Sequence, residues 1–199
     1  MPRERMEIEY KNEGGSFKVM MISRVEGFFQ DSRQQPDIKG KEGGALVAAL
    51  LACAKGAISE VRRHKDGKLD NVPNGEAAVQ EFNDIGMCVS ESLYEDGLRN
   101  DGANGQPAYR RVNDDGISVH VAHYKDDRRN DSASGEAAEQ ISGNDGRFVY
   151  VARYKDDEQV KVLTAQEMAE YQVRQLAVKN AGKAPPDGKK PGPAGGGVG

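Results

Sequence analysis

Ala108-Tyr109-Arg110-Arg111-Val112-Asn113-Asp114-Asp115-Gly116-Ile117-Ser118-Val119-His120-Val121-Ala122-His123-Tyr124-Lys125-Asp126-Asp127 sets two β-favouring runs about an Asn/Asp/Gly turn. The pattern recurs along the chain. Gly56, Gly86, Gly116 and Gly146 stand thirty residues apart. Eight places beyond each glycine come His64, Tyr94, Tyr124 and Tyr154, and ten places beyond come Asp66, Asp96, Asp126 and Asp156. Val89, Val119 and Val149 follow the last three glycines at a constant spacing. A fixed period of this length decides the architecture before any local propensity does.

Each unit reads as strand, turn, strand, long loop. In the third, Ala108–Val112 is the first strand, Asn113–Gly116 the turn and Ile117–Tyr124 the second strand. Lys125-Asp126-Asp127 ends it and Arg128–Gly135 forms the loop. Hairpins chained in this way make a meander that grows by two strands per unit. The expected fold is mainly β: a repetitive antiparallel β-meander with a C-terminal α-helix and a disordered tail. The units run 45–74, 75–104, 105–134 and 135–164, so the repeat sheet spans 45–164.

Residues 1–44 lie outside the period. Met6-Glu7-Ile8-Glu9-Tyr10 alternates apolar and polar, and Phe17–Ile22 is a second β-favouring run beyond the turn chemistry of Asn12-Glu13-Gly14-Gly15. Residues 6–23 are therefore expected to form a hairpin. Gln30–Gly44, polar and containing Pro36, reads as a loop or linker. The run Ala45–Ala54 carries two opposed signals. Its alanines and leucines favour helix, whereas its place in the period is that of a strand.

Past the last unit, Thr164-Ala165-Gln166-Glu167 is a capping box. Met168, Ala169, Val173, Leu176 and Ala177 follow at helical spacing, and Gly182 is a stop signal. Residues 165–182 are expected to form a helix that covers the edge of the last strand, Phe148–Tyr154, for want of a fifth unit. From Lys183 to Gly199 the chain is Pro-, Gly- and Lys-rich, the composition of a flexible tail.

The formal net charge of −4 over 199 residues gives no field favouring nucleic acid. Cys53 and Cys88 form no CxxC pair and read as free thiols of a reducing compartment. The N-terminus has no apolar run of the signal-peptide kind, and the ten residues Ala45–Ala54 are too few to span a bilayer. A cytoplasmic location is expected.

Tyr94-Glu95-Asp96-Gly97, Tyr124-Lys125-Asp126-Asp127 and His64-Lys65-Asp66-Gly67 resemble the Y-x-[DN]-G heart of MORN-type repeats, nearest to the bacterial variant often labelled an antitoxin component. Asn74-Gly75-Glu76-Ala77-Ala78-Val79-Gln80 is similar to the N-G-E-P-A-[VI]-Q head of its thirty-residue form. The likeness covers residues 56–157. Ala77 and Ala137 stand where proline is common, and Asp127 and Asp157 replace the glycine. The resemblance implies a β-meander used as a scaffold or for binding, and the family has been linked both to protein partners and to membranes.

No enzymatic site emerges from the residues. His120 and His123 are three apart in a strand and point to opposite faces, so they do not chelate one metal ion. The four recurrent aspartates sit two strands apart, roughly 10 Å, too far to share a proton. No EF-hand order, phosphate-binding glycine loop or catalytic triad order is present, and no cofactor is expected. Tyr94, Tyr124 and Tyr154, with Tyr150 and His120 beside them, lie on one face, either as core or as an aromatic surface for a protein partner. The expected function is non-enzymatic binding of a protein partner, in an antitoxin- or immunity-like or scaffold role. The alternative is association with a membrane surface through the tail or the aromatic face.

Overall fold

The computed structural model describes residues 4–12, 15–33, 39–54, 56–71, 76–103 and 105–181. Strands β1 (Glu4–Asn12) and β2 (Gly15–Ser23) form the expected antiparallel hairpin. Residues 13 and 14 of its turn lie outside the described residues, as does the tail from 182 on. Two helices follow, α1 (Phe28–Arg33) and α2 (Gly43–Cys53). Helix α1 corrects the reading of Gln30–Gly44 as loop throughout: Phe29 is buried against the hairpin and pins a short helix there. At 45–54 the helical signal prevails over the register. Leu46, Val47 and Leu50 share one side of α2 and pack on Ile8, Val19, Met21 and Val61, a contact that a strand in this Ala-rich run would not supply.

The rest of the chain is the meander. In order come β3 (Ile58–Lys65), β4 (Lys68–Leu69), β5 (Val79–Phe82), β6 (Cys88–Ser92), β7 (Tyr94–Glu95) and β8 (Leu98–Arg99). Then come β9 (Tyr109–Val112), β10 (Ser118–Ala122), β11 (Tyr124–Lys125), β12 (Arg128–Arg129), β13 (Glu139–Ser142), β14 (Phe148–Lys155) and β15 (Glu158–Val162). The main sheet runs β1-β2-β3-β5-β6-β9-β10-β13-β14-β15, with β4 beside β3. Because β2 pairs with β3, the N-terminal hairpin and the repeats make one sheet.

The turns within units are equivalent, as the period requires. Gly86, Gly116 and Gly146 have φ of 82°, 75° and 78°. Asn83 and Asn113 each accept two backbone N–H groups of their turn through Oδ1, at 2.9 to 3.2 Å. Gly56 keeps the same sign of φ although it follows a helix, for a further reason: a Cβ there would meet the Asp84 carbonyl oxygen at 2.0 Å.

In the second and third units the second strand does not run on as expected, whereas in the fourth it does, as β14. β10 stops at Ala122, and Tyr124–Lys125 pairs instead with Arg128–Arg129, inside the stretch read as loop. One side chain per junction holds the chain at this point. Asn71 Oδ1 accepts from the backbone N–H of Ala78 and of Tyr94 at 3.0 and 3.1 Å. Asp101 does the same for Ala108 and Tyr124, at 2.9 and 3.1 Å, and Asp131 for Ala138 and Tyr154, at 2.9 and 3.1 Å. Their own N–H groups donate to the carbonyls of Tyr94, Tyr124 and Tyr154. In the second and third units the strand therefore changes partner at this point, from the neighbouring strand to the short strand that follows it. The small hairpins turn on Asp66-Gly67, Asp96-Gly97, Asp126-Asp127 and Asp156-Asp157, all at positive φ as a two-residue primed turn demands. In the two Asp-Asp turns, Asp127 and Asp157 Oδ1 accept the N–H of Arg99 and Arg129 at 2.8 and 2.7 Å, stitching each hairpin to the one before.

Helix α3 (Ala165–Ala181) begins at the expected capping box: Glu167 Oε2 accepts the Thr164 N–H at 2.9 Å, and Thr164 Oγ1 faces the Glu167 N–H at 3.4 Å. Its seat differs from expectation. β14 does have a partner, β15, and the outer side of β15 is left open with all its residues exposed. The helix lies on a face of the sheet, not across its edge. Tyr171 is the inserted residue, packed with Ala137, Val151 and Leu163, and its hydroxyl accepts the Ala137 N–H at 2.9 Å. Val173 and Leu176, expected to face inward, are 67% and 54% exposed. One aromatic with a hydrogen-bonding tip outcompetes the aliphatic stripe because it reaches a backbone donor that would otherwise be buried without a partner.

Two measurements check this account. Asn71→Ala, which strands two backbone donors, is expected to lower unfolding free energy by about 2–3 kcal/mol, while Asn71→Asp costs much less. Urea denaturation reads both; equal losses would refute the acceptor role. Tyr171→Phe is expected to cost about 1–3 kcal/mol and to speed amide exchange along α3 before the sheet opens.

Candidate functional site

The register places side chains on two faces. Met6, Met21, Val61, Gln80, Glu91, Arg110, Val121, Gln140 and Val151 are directly opposed from strand to strand and so line one face. Helix α2 packs over its first members and α3 over its last. Both helices thus sit on the same face, at opposite ends. Among the described residues, the other face carries no helix.

Charge and apolar surface divide this open face. Its first strands hold ion pairs: Lys18 with Glu7 at 2.6 Å and with Glu9 at 3.6 Å, and the pairs Arg5–Glu7 and Arg62–Glu60. Its last strands bear Tyr109, His120, Ile141 and Tyr150 in one register row or beside it. The rings of Tyr109 and His120 meet edge to face at 5.1 Å.

Along the foot of the strands runs the column predicted from the period. Tyr94, Tyr124 and Tyr154 alternate with two arginines that the sequence reading did not single out. Arg99 lies 5.8 Å from the Tyr94 ring and 5.5 Å from that of Tyr124. Arg129 lies 5.3 Å from the Tyr154 ring and donates toward the Tyr124 hydroxyl at 3.5 Å. Each guanidinium is thus shared between successive units, an arrangement stabilised by the ring quadrupole. Arg99 and Arg129 follow their tyrosines by five residues, and that constant spacing was the available signal. Tyr154 is buried, whereas Tyr94 and Tyr124 are half-buried, so the column is neither all core nor all surface.

Glu139 joins the column to the aromatic patch. Its carboxylate lies 3.2 Å from Arg129 Nη1, 3.4 Å from His120 Nε2 and 3.4 Å from the Tyr154 hydroxyl, which donates to it. Hydrogen bonding to Tyr154, with some desolvation, pushes the Tyr150 phenol up to about 12. All five residues expected to bind a partner, Tyr94, Tyr124, Tyr154, Tyr150 and His120, therefore belong to one continuous cluster with Arg99, Arg129 and Glu139, of which Tyr154 and Glu139 are buried.

His123 is elsewhere, as its spacing from His120 implied. It is wholly buried on the helix-bearing side, with Nδ1 2.7 Å from Asp101 Oδ2 and Nε2 3.3 Å from Glu136 Oε2. Desolvation opposes charge on the ring, but the bonds and charges of the two carboxylates outweigh it and raise its pKa to about 9. The unit before shows the neutral counterpart. Leu93 stands where His123 does, and Asn71 and Gln106 stand where Asp101 and Glu136 do. Sequence reading missed the triad because its members are 22 and 13 residues from His123.

Cys53 and Cys88 are free thiols, and burial pushes that of Cys88 up to about 11. Among the described residues no group of three or more His, Cys, Asp or Glu side chains is placed to hold a metal ion. No helix among them is long and apolar enough to cross a membrane. Compared with known proteins, the chain matches no family model, no curated protein and no solved structure.

The raised pKa of His123 sets the sign of a pH effect. The folded state holds the proton more tightly than the unfolded chain, so this contribution is complete below about pH 6.5 and is lost as pH rises through about 9. The loss is expected to be on the order of 3 kcal/mol. In the triple variant His123→Leu, Asp101→Asn, Glu136→Gln, which copies the preceding unit, this slope should vanish. His123→Leu alone, leaving two carboxylates without their cation, should cost about 3–5 kcal/mol.

Proposed function

We propose that the chain is a non-enzymatic repeat scaffold of the MORN-like kind that binds a protein partner across the C-terminal half of its open face. The observation that carries this reading is the Tyr–Arg column continuous with Tyr109, His120 and Tyr150. Tyrosine and arginine dominate binding hot spots because each offers a wide rigid contact and a polar end. Here they are held in place by one another, which lowers the ordering cost of binding. The N-terminal half of the same face is neutralised by its own ion pairs and offers less. The Y-x-[DN]-G likeness supports the scaffold reading, since those residues turn the small hairpins that present the column. An antitoxin- or immunity-like role, in which occupying a partner's surface is the whole activity, agrees with that arrangement. The two free cysteines agree with a reducing, cytoplasmic setting.

Partner capture from the native host followed by binding titration tests the proposal. Tyr150→Ala and His120→Ala are expected to weaken the captured complex by about 30-fold each, the size of a 2 kcal/mol hot spot. The midpoint of thermal unfolding should hardly move. Val121→Ser on the opposite face should bind as the parent does. Equal loss from all three variants would count against an open-face site.

A further inference from the structure

On the helix-bearing face, where α2 ends and the repeat strands begin, lies a cavity of about 430 Å³. It exists because α2 takes the place of a strand in the first unit, and a helix end does not fill the space beside β3 and β5. The volume falls within the range of small-molecule sites, about 300–1,000 Å³. Leu51, Ala52, Ile58, Phe82 and Ile85 supply apolar wall. Ile85 is 77% exposed at the rim, a large aliphatic group held in water.

The polar lining is Arg63, Glu76 and Gln80. Arg63 is 2% exposed. Its Nη1 donates to the Ala77 carbonyl and to Gln80 Oε1, both at 2.8 Å, which fixes the guanidinium plane. Nη2 lies 3.0 Å from Glu76 Oε2. The pair is lopsided: the cation is buried, while the Glu76 side chain is 48% exposed. Burial alone pushes the Arg63 pKa down, so the guanidinium needs an anion beside it. The anion it has stands at the mouth of an apolar cavity, where a second carboxylate can replace it without leaving the cation bare. A guanidinium receives a carboxylate by two parallel hydrogen bonds.

We infer that this cavity binds a small monocarboxylate with an apolar tail, the carboxylate replacing Glu76 on the Arg63 guanidinium and the tail lying against Leu51, Ile58 and Phe82. The neighbouring cavity of about 310 Å³, which shares Glu76 and Gln80 as a wall and holds Arg110, serves as the control. Its arginine is exposed and hydrogen-bonded to Ser118.

The test uses the full chain with octanoate, 1-octanol and acetate, read by calorimetric titration and thermal unfolding. Octanoate is expected to bind one to one, with 1-octanol and acetate at least tenfold weaker. Glu76→Gln keeps the size and removes the competing charge. It should unfold at a lower temperature than the parent, regain the difference with octanoate but not with 1-octanol, and bind octanoate about tenfold more tightly. Ile85→Glu, at an exposed rim position, should weaken octanoate at least tenfold, and it reads the site even if Glu76→Gln does not fold. Arg110→Ala should leave binding unchanged. The assignment is overturned if 1-octanol binds as well as octanoate, if Glu76→Gln binds no more tightly than the parent, or if binding follows Arg110 instead of Ile85.

Discussion

Everything in the repeat array depends on one short polar side chain per unit: Asn71, Asp101 and Asp131. Each ties up two backbone N–H groups of the following unit, one at its first strand and one at the tyrosine beyond its second. That acceptor sets the tyrosine at the foot of the sheet, and in the second and third units the second strand stops just before it. The choice between amide and carboxylate then has an electrostatic sequel. Where the acceptor is Asp131, Arg153 answers it at 2.5 Å; where it is Asp101, the buried His123 does. Where it is Asn71, the equivalent position is Leu93 and needs no charge. A partly buried carboxylate is steadied by a cation beside it, and the three junctions meet that constraint in three ways.

The two helices complete the sheet differently. Helix α2 contributes a broad aliphatic face to the largest core cluster, while α3 is seated by Tyr171 with few apolar neighbours. Because both lie on one face, the other is left, among the described residues, to the side chains alone. A face without a covering layer stays soluble through charge, as it does over β1 to β3, unless it is reserved for contact. Across that face the charged pairs of the first strands give way to the aromatic rings of the last.

Much of this was legible. The period is literal repetition, so the equivalent turns at Gly86, Gly116 and Gly146 follow from counting, and the Asp-Gly pairs are turn chemistry that depends on two residues only. The Thr164–Glu167 box is equally local. What escaped was cooperative or distant. Asn71, Asp101 and Asp131 keep the same spacing as the tyrosines, but an Asn or Asp in a Gly-rich loop looks like ordinary loop composition until its backbone partners are known. The triad of His123 joins segments before and after it in the chain. Helical spacing pointed to Val173 and Leu176 in α3 because periodicity weighs aliphatic residues alike, whereas the seat was decided by one hydroxyl and one backbone donor. At Ala45–Ala54 two true signals competed, and packing against the hairpin decided between them.

The bond from each unit to the next has a consequence for how such a chain can change in length. Asp131 supports the same atoms in its successor that Asn71 supports two units earlier, and neither terminal helix takes part in these bonds. Duplicating or deleting one whole unit would therefore leave these backbone hydrogen bonds complete at every junction, although the charges would have to be matched again, whereas any other insertion between the acceptor and its tyrosine would break one. The separation of the two helical ends thus comes in steps of two strands, about 10 Å each. Copy number would act as a ruler, setting how far apart the molecule holds whatever its ends engage.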